Sequence, residues 1–303
     1  MNSKLIGIKN FYWLKIKSLF SDDPLITWIL LYSHSLEKGM SFTNKKNNWG
    51  YNKAKNLCNI LNKYMKHNQI NAECINAINI LHEYSKDENA SKDFQLLETI
   101  KQLYEKYKNE LWFTEAGTIN IEEPSAFDEK IIIDFYKSRH SVRDFSNIPI
   151  THDEIDKVLK FAELTPTACN RQSSKVYAVS NKEVLKNIID AQLGGQGWCL
   201  NASTLFIITS NKNRFGVGYE KHQELIDGSL FAMNFVMGLH LYHIAACFKM
   251  FVRDKSLERK VKKICNIPNN EVPIVLVLAG HYKKEIVKGV YSHRFKVPCT
   301  YID

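Results

Sequence analysis

The chain has no arginine among its first 125 residues, no Cys-x-x-Cys pair, no fixed internal period and no apolar run of membrane length. Each absence excludes something. Without a Cys-x-x-Cys pair or a His-rich cluster, the seven cysteines (58, 74, 169, 199, 247, 265 and 299) form neither a zinc ligand set nor a disulfide framework. They read as reduced core or pocket residues, and no metal site is expected. The longest apolar stretch, Leu25 to Tyr32, is interrupted by Thr27 and falls far short of the ~20 residues a membrane helix needs. The N-terminus has no continuous apolar core followed by a small-residue cleavage site. These features predict a cytoplasmic protein without membrane contact. The missing repeat period excludes solenoids, and low-complexity tracts are absent too.

What is present fits a folded protein. Hydrophobic residues make up 45% of the 303, aromatics 12% and charged residues 24%, enough apolar surface for a core, and the length allows two domains. The net charge of +9 is unevenly placed. Residues 1–125 carry 16 lysines against 14 acids, whereas residues 126–303 carry 25 basic groups against 18 acids and hold every arginine. Arginine suits planar, bidentate contact with phosphate or carboxylate. No dense basic stripe with interleaved aromatics is seen, and Arg259-Lys260-Val261-Lys262-Lys263 reads as the solvated face of a helix. A phosphorylated cofactor is therefore expected, and no nucleic acid.

The chain changes character near residue 120. Before it, helical spacing dominates: Asp23-Pro24 opens a helix through about Glu37 that Gly39 stops, and Asn52–Lys66, Ala72–Tyr84 and Phe94–Leu111 follow. A linker is predicted at about 114–126. The first twenty residues read as a basic amphipathic helix. After the linker, Phe127–Ser138 predicts a helix, and Thr151-His152-Asp153-Glu154 a capping box that opens another to about Leu164. Lys175–Ser180, Thr204–Ser210 and Pro273–Ala279 read as strands, the last two as buried central ones. Gly228–Lys249 reads as a single long buried helix. The fold class is α+β: an all-α region of residues 1–120, then a sheet-centred domain of residues 127–303.

Three segments of the second half carry chemistry. Arg139-His140-Ser141-Val142-Arg143 sets two guanidiniums, a hydroxyl and an imidazole within five residues, a set that can saturate one phosphate. Thr165-Pro166-Thr167-Ala168-Cys169-Asn170-Arg171-Gln172 combines small residues, which admit a flat ligand, with amide side chains that pair with a heterocycle edge. The third is Ser292-His293-Arg294. Alone, these are a charged helix end, a turn and an exposed basic tail.

In this order and spacing they resemble the FMN-dependent nitroreductase family, whose members show Arg-x-Ser-x-Arg, a helix, then Pro-Ser-x-x-Asn-x-Gln before the first strand. The resemblance covers about residues 127–303, including the Leu225-Ile226-Asp227-Gly228-Ser229 stretch, the later hydrophobic strand and the C-terminal Ser-x-Arg. It implies a central mixed or antiparallel sheet flanked by helices, FMN as cofactor, and NADH or NADPH as electron donor. It also implies a homodimer with sites at the interface. On that pattern Arg139, Ser141 and Arg143 would hold the FMN phosphate, with His140 beside them and Arg294 closing from the C-terminal segment. Pro166, Thr167 and Asn170 would line the isoalloxazine ring, and Gln172 would lie close by. The flavin carries the redox chemistry, so no side chain is assigned as catalytic.

The expected activity is reduction of a small electron-poor substrate, such as a nitro compound, quinone or activated alkene. A flavin-dependent dehydrogenase or dehalogenase, or a non-catalytic FMN-binding protein, is the alternative. Two departures stand out. Ser173-Ser174 replaces Pro-aromatic, and His243, Ile244 and Ala245 stand where the family has Gly-Leu-Gly, which puts side chains near the ring region. His243 reads as a packing histidine before a substrate contact. In the N-terminal half, His34 and Glu37 share a helix face, and they read as a helix-end cap and salt bridge.

Overall fold

The computed structural model describes residues 23–216, 220–285 and 287–302. The amphipathic helix expected for the first twenty residues lies outside them. Four helices build the N-terminal half: α1 (Asp23–Met40), α2 (Tyr51–Met65), α3 (Ala72–Lys86) and α4 (Phe94–Tyr107). Their apolar faces close one cluster, with Ile29, Leu36, Leu57, Leu61, Ile78 and Ile100 at its centre. Gly39 does not stop α1. It is required because Trp49 packs flat against it: a Cβ there would lie 2.2 Å from the indole. The ring cannot yield, since its Nε1 donates to Asp87 and Tyr84 meets it edge-on at 5.0 Å.

Asp87 is the hub of that corner, accepting from Lys45, Trp49 and the Asn89 N–H. Burial pushes its carboxyl up, but the bonds from Lys45, Trp49 and Asn89 outweigh this and hold it below the ordinary value. A carboxyl depressed on folding stabilises above its unfolded pKa, and that contribution is lost as pH falls through the folded value. Asp87→Asn is therefore expected to lower the urea midpoint at pH 7, and the gap from wild type should close towards pH 3 and below.

The second half is a four-stranded sheet of β1 (Ser174–Val179), β2 (Thr204–Asn211), β3 (Ile244–Met250) and β4 (Glu271–His281). Its order is β1-β2-β4-β3, with every neighbouring pair antiparallel. Strand alternation serves two cores. Leu205 and Ile207 face a cluster with α7 (Lys182–Asp190) and α10 (Lys255–Ile264). Phe206 and Ile208 face one with α6 (His152–Ala162) and α9 (Gln223–Leu241). The expected capping box at Thr151 and Glu154 opens α6. In α10, Val261 is buried while Arg259, Lys260 and Lys263 are exposed, as a solvated basic face requires. Helices α5 (Glu129–Ser138) and α8 (Gln196–Cys199) complete the described set.

Two departures from the sequence pattern matter for the site. The long helix expected over 228–249 is instead α9 followed by β3. The chain reverses at His243, whose φ of 58° is left-handed, a conformation usual for glycine after a helix end. His243 is exposed, so it is not a packing histidine, while Ile244 and Ala245 point into the two cores. His243→Gly is expected to relieve about 1 kcal/mol of backbone strain, read as a rise of a few degrees in Tm. The second departure is Pro273, inside central β4. It is tolerated because the register shifts there: Ile208 faces Val275 and Thr209 faces Pro273, a bulge that leaves Ile274 over. Ile274 presses onto α9 where Gly228 has no Cβ, which would stand 2.6 Å from its Cγ1.

All seven cysteines are free, and Cys58, Cys74, Cys199 and Cys247 are buried. Burial pushes the Cys58 thiol up to about 12 and the Cys199 thiol up to about 11. Among the described residues no helix is long and apolar enough to cross a membrane, and no cluster of three or more metal-ligating side chains occurs.

Candidate functional site

Helix α5 is capped by Asp128, whose carboxylate accepts from the Lys130 and Ile131 N–H groups. It ends at Ser138, and the chain then runs extended along the outer edge of β3. The Val142 N–H donates to the Ala246 carbonyl at 3.0 Å, and Ser141 forms a parallel bridge with Ala246. Val142 is buried in the core. Ser141 hydrogen-bonds the Cys247 sulfur. Burial raises that thiol, and Arg143, Ser141 and Arg139 partly offset the rise. Arg143 lies over the Trp198 ring at 5.5 Å, and its charge is exposed. Among the described residues neither Arg139 nor Arg143 has a carboxylate partner. Two uncompensated guanidiniums flanking a hydroxyl on one extended strand suit a phosphate.

Around them, the Ser138 hydroxyl and the Phe135 carbonyl both meet His240 Nε2, at 2.8 and 3.1 Å. Burial pushes the His240 ring below its ordinary value; the bond to the Phe135 carbonyl opposes this, and Arg139, His243 and His140 add to the lowering. His140 itself is exposed, and a Cβ on Gly289 would come within 3.5 Å of its Cβ. The C-terminal segment thus starts beside the Arg139–Arg143 stretch, while Arg294, further along it, is exposed.

Residues 166–172 form a separate group. Cys169, Asn170 and Gln172 all have left-handed backbone, with φ of 52°, 51° and 45°, a concentration that non-glycine residues adopt only where their surroundings enforce it. Thr167 Oγ1 accepts the Gln172 N–H at 3.1 Å, and Asn170 Oδ1 accepts Gln172 Nε2 at 3.1 Å. Buried Asp227 on α9 accepts the Ala168 N–H at 2.9 Å. Pro166, Asn170 and Gln172 turn outward. Ser173 turns inward, sharing a hydrogen bond with Ser210 on β2, so this departure from the family pattern faces the core.

Arg171, inside the loop, has a role that no local pattern announces. It is 1% exposed. It donates to both carboxylate oxygens of Glu220 and to the Arg214 carbonyl, and lies over the Phe215 ring at 5.2 Å. Its partners are over forty residues away, so no local signal announced them. Asp227 and Trp198 were missed likewise; an aspartate early in a helix apolar all round was the one available hint.

The structure therefore brings Arg139, His140, Ser141 and Arg143 together, and holds Pro166, Thr167, Asn170 and Gln172 elsewhere. Asp227 touches one group and His240 adjoins the other, about 20 Å apart along the same helix at 1.5 Å rise per residue. β1, which follows the loop, and β3, beside the arginines, are opposite edges of the sheet. In the N-terminal half, His34 and Glu37 form no salt bridge. Glu37 is raised by burial and accepts the Gly117 N–H, while His34 is lowered by burial, by Lys38 and by Arg171.

Comparison with known proteins bears on the second half of the chain. Residues 136–197 match the model of the nitroreductase family. A relative from Archaeoglobus fulgidus, named for NADH dehydrogenase/NAD(P)H nitroreductase activity, is 26% identical over 148 residues, covering 49% of this chain and 83% of its own length. An FMN reductase (NAD(P)H) of Bacillus subtilis is 25% identical over 89 residues, 29% of this chain and 35% of that protein. The structure of an FMN-dependent nitroreductase from Clostridium difficile covers 53% of this chain and 91% of its own, with 22% identity and a TM-score of 0.45. The family match thus spans residues 136–197 and contains the Arg139-x-Ser141-x-Arg143 segment.

Proposed function

We propose that the protein is an FMN-dependent oxidoreductase that uses NADH or NADPH to reduce a small electron-poor compound: a nitro compound, quinone or activated alkene. The observation that carries this reading is the pair of uncompensated guanidiniums, Arg139 and Arg143, flanking Ser141 at the β3 edge within the family-matched segment. Arg139, Ser141 and Arg143 hold the phosphate, His140 lies alongside, and Arg294 closes from the C-terminal segment. Bound there, FMN supplies the hydride chemistry.

Pro166, Thr167, Asn170 and Gln172 line the ring, and they do so for the site of a second copy. The ~20 Å along α9 between the two groups supports a homodimer. So does the apolar surface left open on α5 and α9, where Ile131, Tyr136, Ile226 and Leu230 are each more than half exposed. Residues 23–120 form a helical domain that packs against the flavin domain of residues 127–303, and the protein works in the cytoplasm.

The test is an absorption spectrum after FMN addition and desalting, repeated anaerobically with NADH and then NADPH. A retained flavin spectrum that bleaches is expected. Retention without bleaching removes the proposed electron donor, and no retention removes the flavin reading.

A further inference from the structure

The N-terminal bundle does not merely precede the second half; it grips the segment on which loop 166–172 rests. Thr27 Oγ1 on α1 donates to the Asn213 carbonyl at 2.7 Å. Glu73, in the first turn of α3, accepts from the Arg214 guanidinium. The next link is Arg214 itself: its carbonyl accepts from Arg171 at 2.6 Å, and Arg171 is anchored a second time through Glu220. Arg171 sits between Asn170 and Gln172, two of the left-handed residues. α1 packs directly on the 168–170 turn as well as on residues 212–214. His34, seven residues after Thr27 and so on the same helix face, is close enough to Arg171 for that charge to lower its pKa. A strained loop persists only where its surroundings over-determine it. Here part of that determination comes from a different region of the chain.

We propose that the N-terminal helical bundle is a brace for loop 166–172, and that Glu73 and Arg214 are positioning residues for it. Their ion pair, with the Thr27–Asn213 bond, fixes segment 211–214. Through Arg171 that segment holds Asn170 and Gln172 in the left-handed backbone that presents their amides outward. The proposal rests on the reading of this loop as the ring-binding element, and it assigns residues 23–110 a role in ligand recognition without contact to the phosphate end.

The test uses the full chain carrying Glu73→Gln with Thr27→Val. Amide hydrogen exchange is measured in the flavin-free protein, and the dissociation constants of FMN and of riboflavin, which lacks the phosphate, are measured separately. Expected are about tenfold faster exchange at residues 168–172 with β2 and β4 unchanged, and a loss of affinity by the same factor for both flavins. The exchanged pair Glu73→Arg with Arg214→Glu should recover most of both. Unchanged exchange at 168–172, or a loss confined to FMN, overturns the brace. Should the wild-type chain retain neither flavin, the ring-binding reading falls, while the exchange rates still decide whether the bundle holds the loop.

Discussion

Arg143→Ala is expected to weaken FMN binding by about tenfold to a hundredfold, the equivalent of one charge-assisted hydrogen bond to phosphate, and to leave riboflavin affinity unchanged. The asymmetry follows from position. Arg143 adjoins Ser141 at the β3 edge, and among the described residues no carboxylate neutralises it. The substitution also strips the cation from the face of Trp198, now 5.5 Å away, so tryptophan emission gives a second readout that needs no flavin. Titration of both ligands by fluorescence decides the matter. Equal losses for FMN and riboflavin would move Arg143 away from the phosphate. Salt should weaken FMN binding more than riboflavin binding in the wild type, and much less so in the variant, because the screened interaction has gone.

The largest effect on stability is expected from Arg171→Ala, about 3–5 kcal/mol by chemical denaturation. The side chain is fully enclosed, so the change opens a cavity and removes two charge-assisted bonds from Glu220 and one bond from the Arg214 carbonyl. Buried ion pairs are costly to break from one side and cheaper to replace as a unit. Arg171→Met combined with Glu220→Met should therefore recover a substantial part of the loss. A double variant no better than Arg171→Ala would mean that packing over Phe215, and not charge, is what the arginine contributes.

The sequence and the structure agree where a periodicity is clean. The runs TLFIITS and PIVLVLA announce β2 and β4 because β-branched residues continue without a polar break, as in strands covered on both faces. The alternation in Arg139-x-Ser141-x-Arg143 is legible as one chemical set, since period two places the three side chains on one side of an extended segment. Legibility fails where neither period nor punctuation marks a change. Leu239 to Met250 stays largely apolar through the boundary of α9 and β3, with only His240, His243 and Lys249 polar, and the residue that makes the turn is a histidine in a glycine conformation. Composition alone does not distinguish that from a continuing helix. Arg171 fails for another reason. Its role depends on Glu220 and Arg214, brought near by β1, β2 and the segment after β2. The grip of Glu73 on Arg214 spans more sequence still.

The bridge between Ser141 and Ala246 has a consequence for solubility. β3 is the last strand of the sheet, and an uncovered outer strand is a template on which another chain can polymerise. Here the stretch proposed to grip phosphate lies along that strand and takes up the Ala246 carbonyl, with a guanidinium on either side of the bridge to repel an approaching strand of like charge. The proposed phosphate grip and protection from aggregation thus fall to the same five residues, so conditions that loosen the stretch should also be those under which the protein begins to precipitate.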